Sequence, residues 1–130
     1  FTVSVMGNKI PNALPVIEII PKSADWYDFK AKYETGGADK ICPANISDEL
    51  RNTMQEAAIK IYKEMNCKDL ARIDFILEAE TDVLHFLEVN TIPGMTATSL
   101  SPKAAAAAGL TFEKFIEQLI EEALKFYKKE

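Results

Sequence analysis

Residues 70–90, LARIDFILEAETDVLHFLEVN, decide the fold of this 130-residue chain. Two runs rich in β-branched, aromatic and other apolar residues, 70–78 and 83–90, flank the polar segment AETD at 79–82. Apolar runs of this length on either side of a short polar segment are typical of a β-hairpin. The pattern therefore predicts two neighbouring antiparallel strands with apolar residues on both faces.

Hydrophilic residues occupy even positions near the outer end of each predicted strand. Arg72 and Asp74 share a face of the first strand, and Glu88 and Asn90 share a face of the second, because strand side chains alternate with period two. A turn centred on Thr81 would place Asp74 opposite Glu88 and Arg72 opposite Asn90, with paired Cβ atoms about 4.5–5.5 Å apart. The register thus predicts two carboxylates that face each other.

Like charges in this arrangement repel, so they must share a proton, bind a cation between them, or be neutralised by Arg72. Oxygen ligands from Asp74, Glu88 and Asn90 suit Mg²⁺ or Mn²⁺, and Mg²⁺ is commonly completed by waters and substrate phosphates. The alternative is a structural ion-pair network on an exposed sheet face, and the pattern leaves both interpretations open. His85 falls on the odd face of its strand, which predicts that it points away from the acidic pair and is structural.

The rest of the chain mixes strands and helices without strict βαβ alternation, which predicts an α+β fold with a mainly antiparallel sheet packed by helices. Residues 2–6 and 14–20 are predicted strands, and residues 21–46 a long mobile loop. Ser47 is a predicted N-cap for a helix over residues 47–66, and Ser101-Pro102 for a short helix that ends at Gly109. Thr111 is a predicted N-cap for a last helix whose apolar stripe, at three- and four-residue spacing, is predicted to be core.

Two loops carry further candidate residues. Residues 91–100, TIPGMTATSL, contain four hydroxyl side chains and could present hydroxyls and backbone N–H groups to an anion, or could simply connect two elements and cap a helix. In the long loop, Lys30, Lys32 and Tyr33 could close over a negatively charged nucleotide, although lysines in such loops are usually just solvated.

Composition excludes several classes of protein. The formal net charge of −5 gives no broad basic field, so nucleic acid is not an expected partner. No apolar run reaches the ~18 residues that a bilayer span needs, which leads to the expectation of a cytoplasmic protein without a membrane partner. Because the chain opens in a strand at Phe1 rather than at an initiator methionine, we expect residues 1–130 to be one domain within a longer polypeptide.

Three segments together resemble the C-terminal part of the D-alanine:D-alanine ligase family, which are ATP-grasp enzymes: YDFKAKY at 27–33, ARIDF at 71–75 and FLEVNTIPGMTATSL at 86–100. The resemblance implies that Asp74, Glu88 and Asn90 hold two Mg²⁺ (or Mn²⁺) ions that bridge the phosphates of ATP. It implies that Arg72 and the backbone N–H of Gly94 stabilise charge on the acyl phosphate and the tetrahedral species.

The same resemblance implies that Ser99 and Leu100 grip the carboxylate of the second D-alanine, that Lys32 contacts the transferred phosphate, and that Tyr33 closes the mobile loop. The implied reaction is phosphorylation of one D-alanine by ATP and attack by the amine of a second, in peptidoglycan precursor synthesis. The family's N-terminal domain and most of its central domain have no counterpart here, so we expect the isolated chain to be inactive.

The sequence leaves two alternative functions open. Another ATP-grasp carboxylate–amine ligase would share Asp74, Glu88 and Asn90 and differ in the segments at 27–33 and 97–100. A non-catalytic module would bind a partner through the long loop. The assembly is also open, with a homodimer as one candidate.

Overall fold

The computed structural model describes residues 1–22 and 37–128. Nine elements follow one another in these ranges, and they form a four-stranded antiparallel sheet of order β2-β1-β5-β6, a two-stranded sheet of β3 and β4, and three helices. The elements are β1 (Thr2–Met6), β2 (Asn12–Ala13), β3 (Glu18–Pro21), β4 (Ala38–Ile41), α1 (Asp48–Glu64), β5 (Leu70–Leu77), β6 (Leu84–Asn90), α2 (Leu100–Ala107) and α3 (Phe112–Tyr127). The predicted α+β class with a mainly antiparallel sheet is confirmed.

The opening strands differ in part from the prediction. β1 has the predicted bounds, but the predicted strand at 14–20 is replaced by a single bridge between Thr2 and Ile17 and by β3, which joins the smaller sheet. β3 pairs with β4, so residues 38–41 of the predicted long loop form a strand. The sequence conceals β4 because the short run ADKI has no apolar alternation. Lys30, Lys32 and Tyr33 lie outside the described residues.

Helix ends follow the predicted capping chemistry at two of the three helices in the described ranges. The Ser47 hydroxyl accepts a hydrogen bond from the Leu50 backbone N–H at the start of α1. The Thr111 hydroxyl accepts one from the Lys114 backbone N–H at the start of α3. The third prediction is displaced: the N-cap of α2 is Ser99, not Ser101. Gly109 follows α2 with φ of +88°, as expected for a left-handed helix end.

α1 covers one face of the large sheet. Odd-numbered side chains of β1 and β5 point to this helix and form an apolar core with it, because alternate strand residues share a face. Its buried members include Val3, Val5, Ile73, Phe75, Met54, Ala58 and Tyr62. The core contains the apolar side of the β5–β6 hairpin and so fixes the position of that hairpin.

The opposite face changes character along the strands. At one end Met6 and Leu70 pair with each other and pack with Ala104, Ala105 and Phe115 of the two C-terminal helices. Toward the other end the same face becomes polar. The candidate site residues of β5 lie on this polar part of the face.

The last helix is less buried than its sequence predicts. Among the described residues of α3, Phe115 is the buried one, whereas Ile120, Leu124 and Tyr127 are about half exposed. The prediction that the whole apolar stripe is core is therefore wrong for Phe112 in the first turn, which is 42% exposed, and for the second half of the helix. α3 packs through Phe115, Ile116 and Leu119 against the cluster that includes Met6 and Leu70 of the sheet. Within the described ranges, none of the helices has both the length and the apolar character that a bilayer crossing requires.

Candidate functional site

The β5–β6 hairpin brings the two predicted carboxylates together. Asp74 pairs with Glu88 and Arg72 pairs with Asn90, as the sequence predicts. Directly paired residues of antiparallel strands point to the same face, and their Cβ atoms lie about 4.5–5.5 Å apart. All four side chains therefore share the polar part of the sheet face.

A β-bulge next to the acidic pair changes the register toward the turn. Beyond Asp74 the partners are Phe75 with Phe86 and Ile76 with His85, which leaves Leu87 as the extra residue of β6. The predicted strand pairing is therefore correct at the site and shifted by one residue near the turn. The prediction that His85 points away from the acidic pair is wrong, because the bulge places it opposite Ile76, on the face that carries Asp74.

Asp74 is held by two neighbours on that face. Its Oδ1 accepts hydrogen bonds from the Thr2 hydroxyl at 2.6 Å and from Arg72 Nε at 2.9 Å, and its Oδ2 accepts one from Arg72 Nη2 at 2.8 Å. The side chains of Arg72 and Asp74 are each 15% exposed. Such a bidentate arginine–carboxylate pair holds both side chains in a defined orientation and compensates their charges. Arg72 thus neutralises part of the acidic pair, one of the three outcomes expected from the sequence.

Asn90 ends β6 and starts the next loop in a defined direction. Its Oδ1 accepts a hydrogen bond from the Ile92 N–H at 3.0 Å, which closes a short side-chain turn. The amide oxygen stays on the side of the sheet where Asp74 and Glu88 lie, since Asn90 pairs with Arg72. The loop from residue 91 onward therefore leaves directly from the candidate site.

The hydroxyl side chains of this loop bond mainly to one another. Ser99 Oγ accepts a hydrogen bond from the Thr96 N–H at 3.0 Å and lies 2.7 Å from Thr96 Oγ1. A Cβ on Gly94 would lie 2.8 Å from Ser99 Oγ, so a side chain at residue 94 would force the Ser99 hydroxyl to move. Within residues 37–128, Ser99 makes no side-chain hydrogen bond to cap α2, although it occupies the N-cap position of that helix. Leu100 is the first residue of α2.

Two hydroxyl residues of β1 support the site and were missed by the sequence analysis. Thr2 contacts Asp74, and Ser4 Oγ lies 2.7 Å from Ser101 Oγ in a fully buried hydrogen bond. Ser4 pairs with Arg72, so this bond ties the first turn of α2 to the strand next to the arginine. The available signal was the even spacing of Thr2 and Ser4 in a β-branched strand, which puts both on one face.

An open, largely apolar cleft of about 360 Å³ adjoins the acidic pair. Asp74 and Glu88 form its polar edge, and Ile19, Phe75 and Leu87 are among its apolar lining residues. No cluster of three or more His, Cys, Asp or Glu side chains suited to a metal ion occurs in the part of the chain that the structure describes. A metal held here by the two carboxylates would therefore need further ligands, such as Asn90, waters or substrate oxygens.

Known proteins match this chain over most of its length. The family model described as D-ala D-ala ligase C-terminus matches residues 1–121. A D-alanine–D-alanine ligase from Pelotomaculum thermopropionicum is 47% identical over 124 residues, which cover 95% of this chain and 38% of that protein. The chain therefore spans well under half the length of this relative.

Solved structures show the same similarity. The D-alanine-D-alanine ligase from Coxiella burnetii superposes with a TM-score of 0.82 at 30% identity, over 98% of this chain and 32% of that one. The Bacillus anthracis ligase complexed with ATP superposes with a TM-score of 0.76 at 29% identity, over 99% of this chain and 38% of that one. With the hairpin, its acidic pair and these matches taken together, the chain belongs to the D-alanine–D-alanine ligase C-terminal family.

Proposed function

We propose that this chain is the C-terminal ATP-grasp subdomain of a ligase that joins two D-alanine molecules at the expense of ATP, through an acyl-phosphate intermediate. The observation that carries the proposal is the pairing of Asp74 with Glu88, beside Arg72 and Asn90, on one face of the β5–β6 hairpin in a chain of this family. Such a ligase acts where ATP and D-alanine meet, in the cytoplasm.

The donor set suits divalent magnesium. Asp74, Glu88 and Asn90 offer oxygen atoms alone, and two carboxylates supply the negative charge that a hard cation requires. In the proposed enzyme these three residues hold two Mg²⁺ ions together with ATP. When bound, the ions neutralise charge on the phosphate oxygens during phosphoryl transfer.

The chain's own residues then have separate tasks. The apolar cleft beside Glu88 accepts the flat base of ATP, while the acidic edge faces its phosphates. Arg72, held by Asp74, provides a fixed positive charge for the acyl phosphate and the tetrahedral species. The Gly94 backbone N–H supports the same oxyanion.

The second D-alanine is placed by the loop after Asn90. Its carboxylate binds at Ser99 and Leu100, where the positive end of the α2 helix dipole favours an anion. Holding the amine of this substrate next to the activated carboxyl supplies much of the rate. Lys32 and Tyr33, outside the described residues, are proposed to contact the transferred phosphate and to close the loop over the site.

A chimaeric ligase tests the proposal. In it, this chain replaces the matched 124 residues of the Pelotomaculum thermopropionicum ligase, whose remaining sequence supplies the parts that this chain lacks. We expect phosphate release from ATP that requires Mg²⁺ and is stimulated by D-alanine, with D-alanyl-D-alanine as product, whereas the isolated chain is inactive.

Two results would reject the proposal. ATP turnover stimulated by other amines or carboxylates but not by D-alanine would identify another carboxylate–amine ligase. A chimaera that unfolds cooperatively but does not turn over ATP under any of these conditions would favour a non-catalytic binding module.

A further inference from the structure

The buried side chain of Thr2 makes a short hydrogen bond to Asp74, one of the two facing carboxylates. Thr2 is 1% exposed, pairs with Asp74 across β1 and β5, and places its Oγ1 2.6 Å from Asp74 Oδ1 and 3.2 Å from the Ile73 carbonyl oxygen. The hydroxyl has one proton to donate. Because the bond to an ionised carboxylate is shorter and charge-assisted, the proton goes to Asp74.

This bond determines which oxygen of Asp74 can take another partner. A carboxylate oxygen has two lone pairs in the carboxylate plane. At Oδ1 these are used by Thr2 Oγ1 and Arg72 Nε. Oδ2 accepts one hydrogen bond from the described part of the chain, that of Arg72 Nη2, and so keeps its second lone pair.

We propose that Thr2 is a positioning residue that presents Asp74 to a metal ion through Oδ2 alone. Thr2 itself does not touch the metal or the substrates; it occupies the competing lone pair and prevents rotation of the carboxylate. The inference rests on the proposed function, because it concerns the metal that binds with ATP. It adds a residue on β1 to a site whose ligands come from β5 and β6.

Direct measurement of Mn²⁺ binding tests this role independently of turnover. The dissociation constant of Mn²⁺ in the presence of a non-hydrolysable ATP analogue is obtained from the electron paramagnetic resonance signal of free Mn²⁺, with the chimaeric ligase and its variants. Thr2→Val removes the hydroxyl and keeps the shape of the side chain. Loss of a residue that orients a metal ligand weakens metal binding about 10- to 100-fold, and we expect that range.

Three further variants separate positioning from packing. Thr2→Ser restores the hydroxyl and should bind Mn²⁺ within about threefold of the unmodified chimaera, and Thr2→Ala should weaken binding as Thr2→Val does. Ile73→Val, a matched control in the α1-facing core, should lower stability without changing the Mn²⁺ constant, since Ile73 is fully buried on the other face.

The outcomes distinguish this inference from the function on which it rests. A folded Thr2→Val or Thr2→Ala variant that binds Mn²⁺ as tightly as the unmodified chimaera overturns the role of Thr2 and leaves the proposed function intact. An unmodified chimaera that does not bind Mn²⁺ with the nucleotide overturns both. Weakening in Thr2→Ser equal to that in Thr2→Val would show that packing, rather than the hydroxyl, is responsible.

Discussion

The two faces of the β1–β5 pair come from the same strands and have opposite chemistry. Odd positions form the face toward α1 and are apolar and buried: Val3, Val5, Ala71, Ile73 and Phe75. Even positions next to them carry Thr2, Ser4, Arg72 and Asp74, with Glu88 and Asn90 on the neighbouring strand.

The faces are stabilised in different ways. Burial of apolar area against α1 depends on the surface removed from water and hardly on direction. The opposite face depends on individual bonds with defined partners, such as those of Asp74 with Thr2 and Arg72 and of Ser4 with Ser101. Substitutions on the first face should therefore change stability, and substitutions on the second should change binding and catalysis.

The largest expected effect comes from removing the charge of Asp74. In the chimaeric ligase, Asp74→Asn should lower D-alanine-dependent turnover about 100- to 1,000-fold, since a lost metal contact removes several kcal/mol of charge stabilisation. Asp82→Asn is the matched control: Asp82 is exposed at the hairpin turn with φ of +54°, a conformation that asparagine tolerates. Steady-state phosphate release measures both variants. Equal activities of Asp74→Asn and Asp82→Asn would show that turnover does not depend on the charge that the polar face carries at Asp74.

A smaller effect is expected at Gly94. In Gly94→Ala the new methyl group would displace the Ser99 hydroxyl and disturb its bonds to Thr96, so the KM for D-alanine should rise about tenfold if one or two net hydrogen bonds are lost. Gly109→Ala is the control, because its φ of +88° predicts a loss of about 1–2 kcal/mol in stability and no change in KM. An unchanged KM in Gly94→Ala would show that the loop after Asn90 does not contribute to binding of D-alanine.

The smallest effect is expected in the core between α1 and the sheet, at Tyr62 of α1. Its buried hydroxyl has no hydrogen-bond partner among the described residues, so Tyr62→Phe should change the free energy of unfolding by less than about 1 kcal/mol. Burial raises the pKa of Tyr62 above its ordinary value of 10.0. The folded state therefore resists deprotonation, and the unmodified chain should lose stability above that pH more steeply than Tyr62→Phe. Denaturant titrations at neutral and alkaline pH measure the difference.

The sequence predicts those parts of the fold that depend on local chemistry. Ser47 and Thr111 cap helices as expected, and period-two alternation puts Arg72 and Asp74 on one face. The pairing of Asp74 with Glu88 is correctly predicted, whereas the bulge at Leu87 is not, because a run of apolar residues on both faces carries no sign of an extra residue. Strand β4 and the contact between Ser4 and Ser101 depend on segments far apart in the chain, which local patterns do not connect.

The most direct test of the account is the affinity of the chimaeric ligase for Mg²⁺–ATP when Glu88 loses its charge. Glu88→Gln should weaken binding, measured by isothermal titration calorimetry, by at least about tenfold, as expected for loss of a metal contact. Glu78→Gln, on the same hairpin but beside His85 and the turn, should bind within about twofold of the unmodified protein. If Glu88→Gln and Glu78→Gln bind Mg²⁺–ATP equally well, the polar face does not hold the nucleotide's metal and the central claim is contradicted.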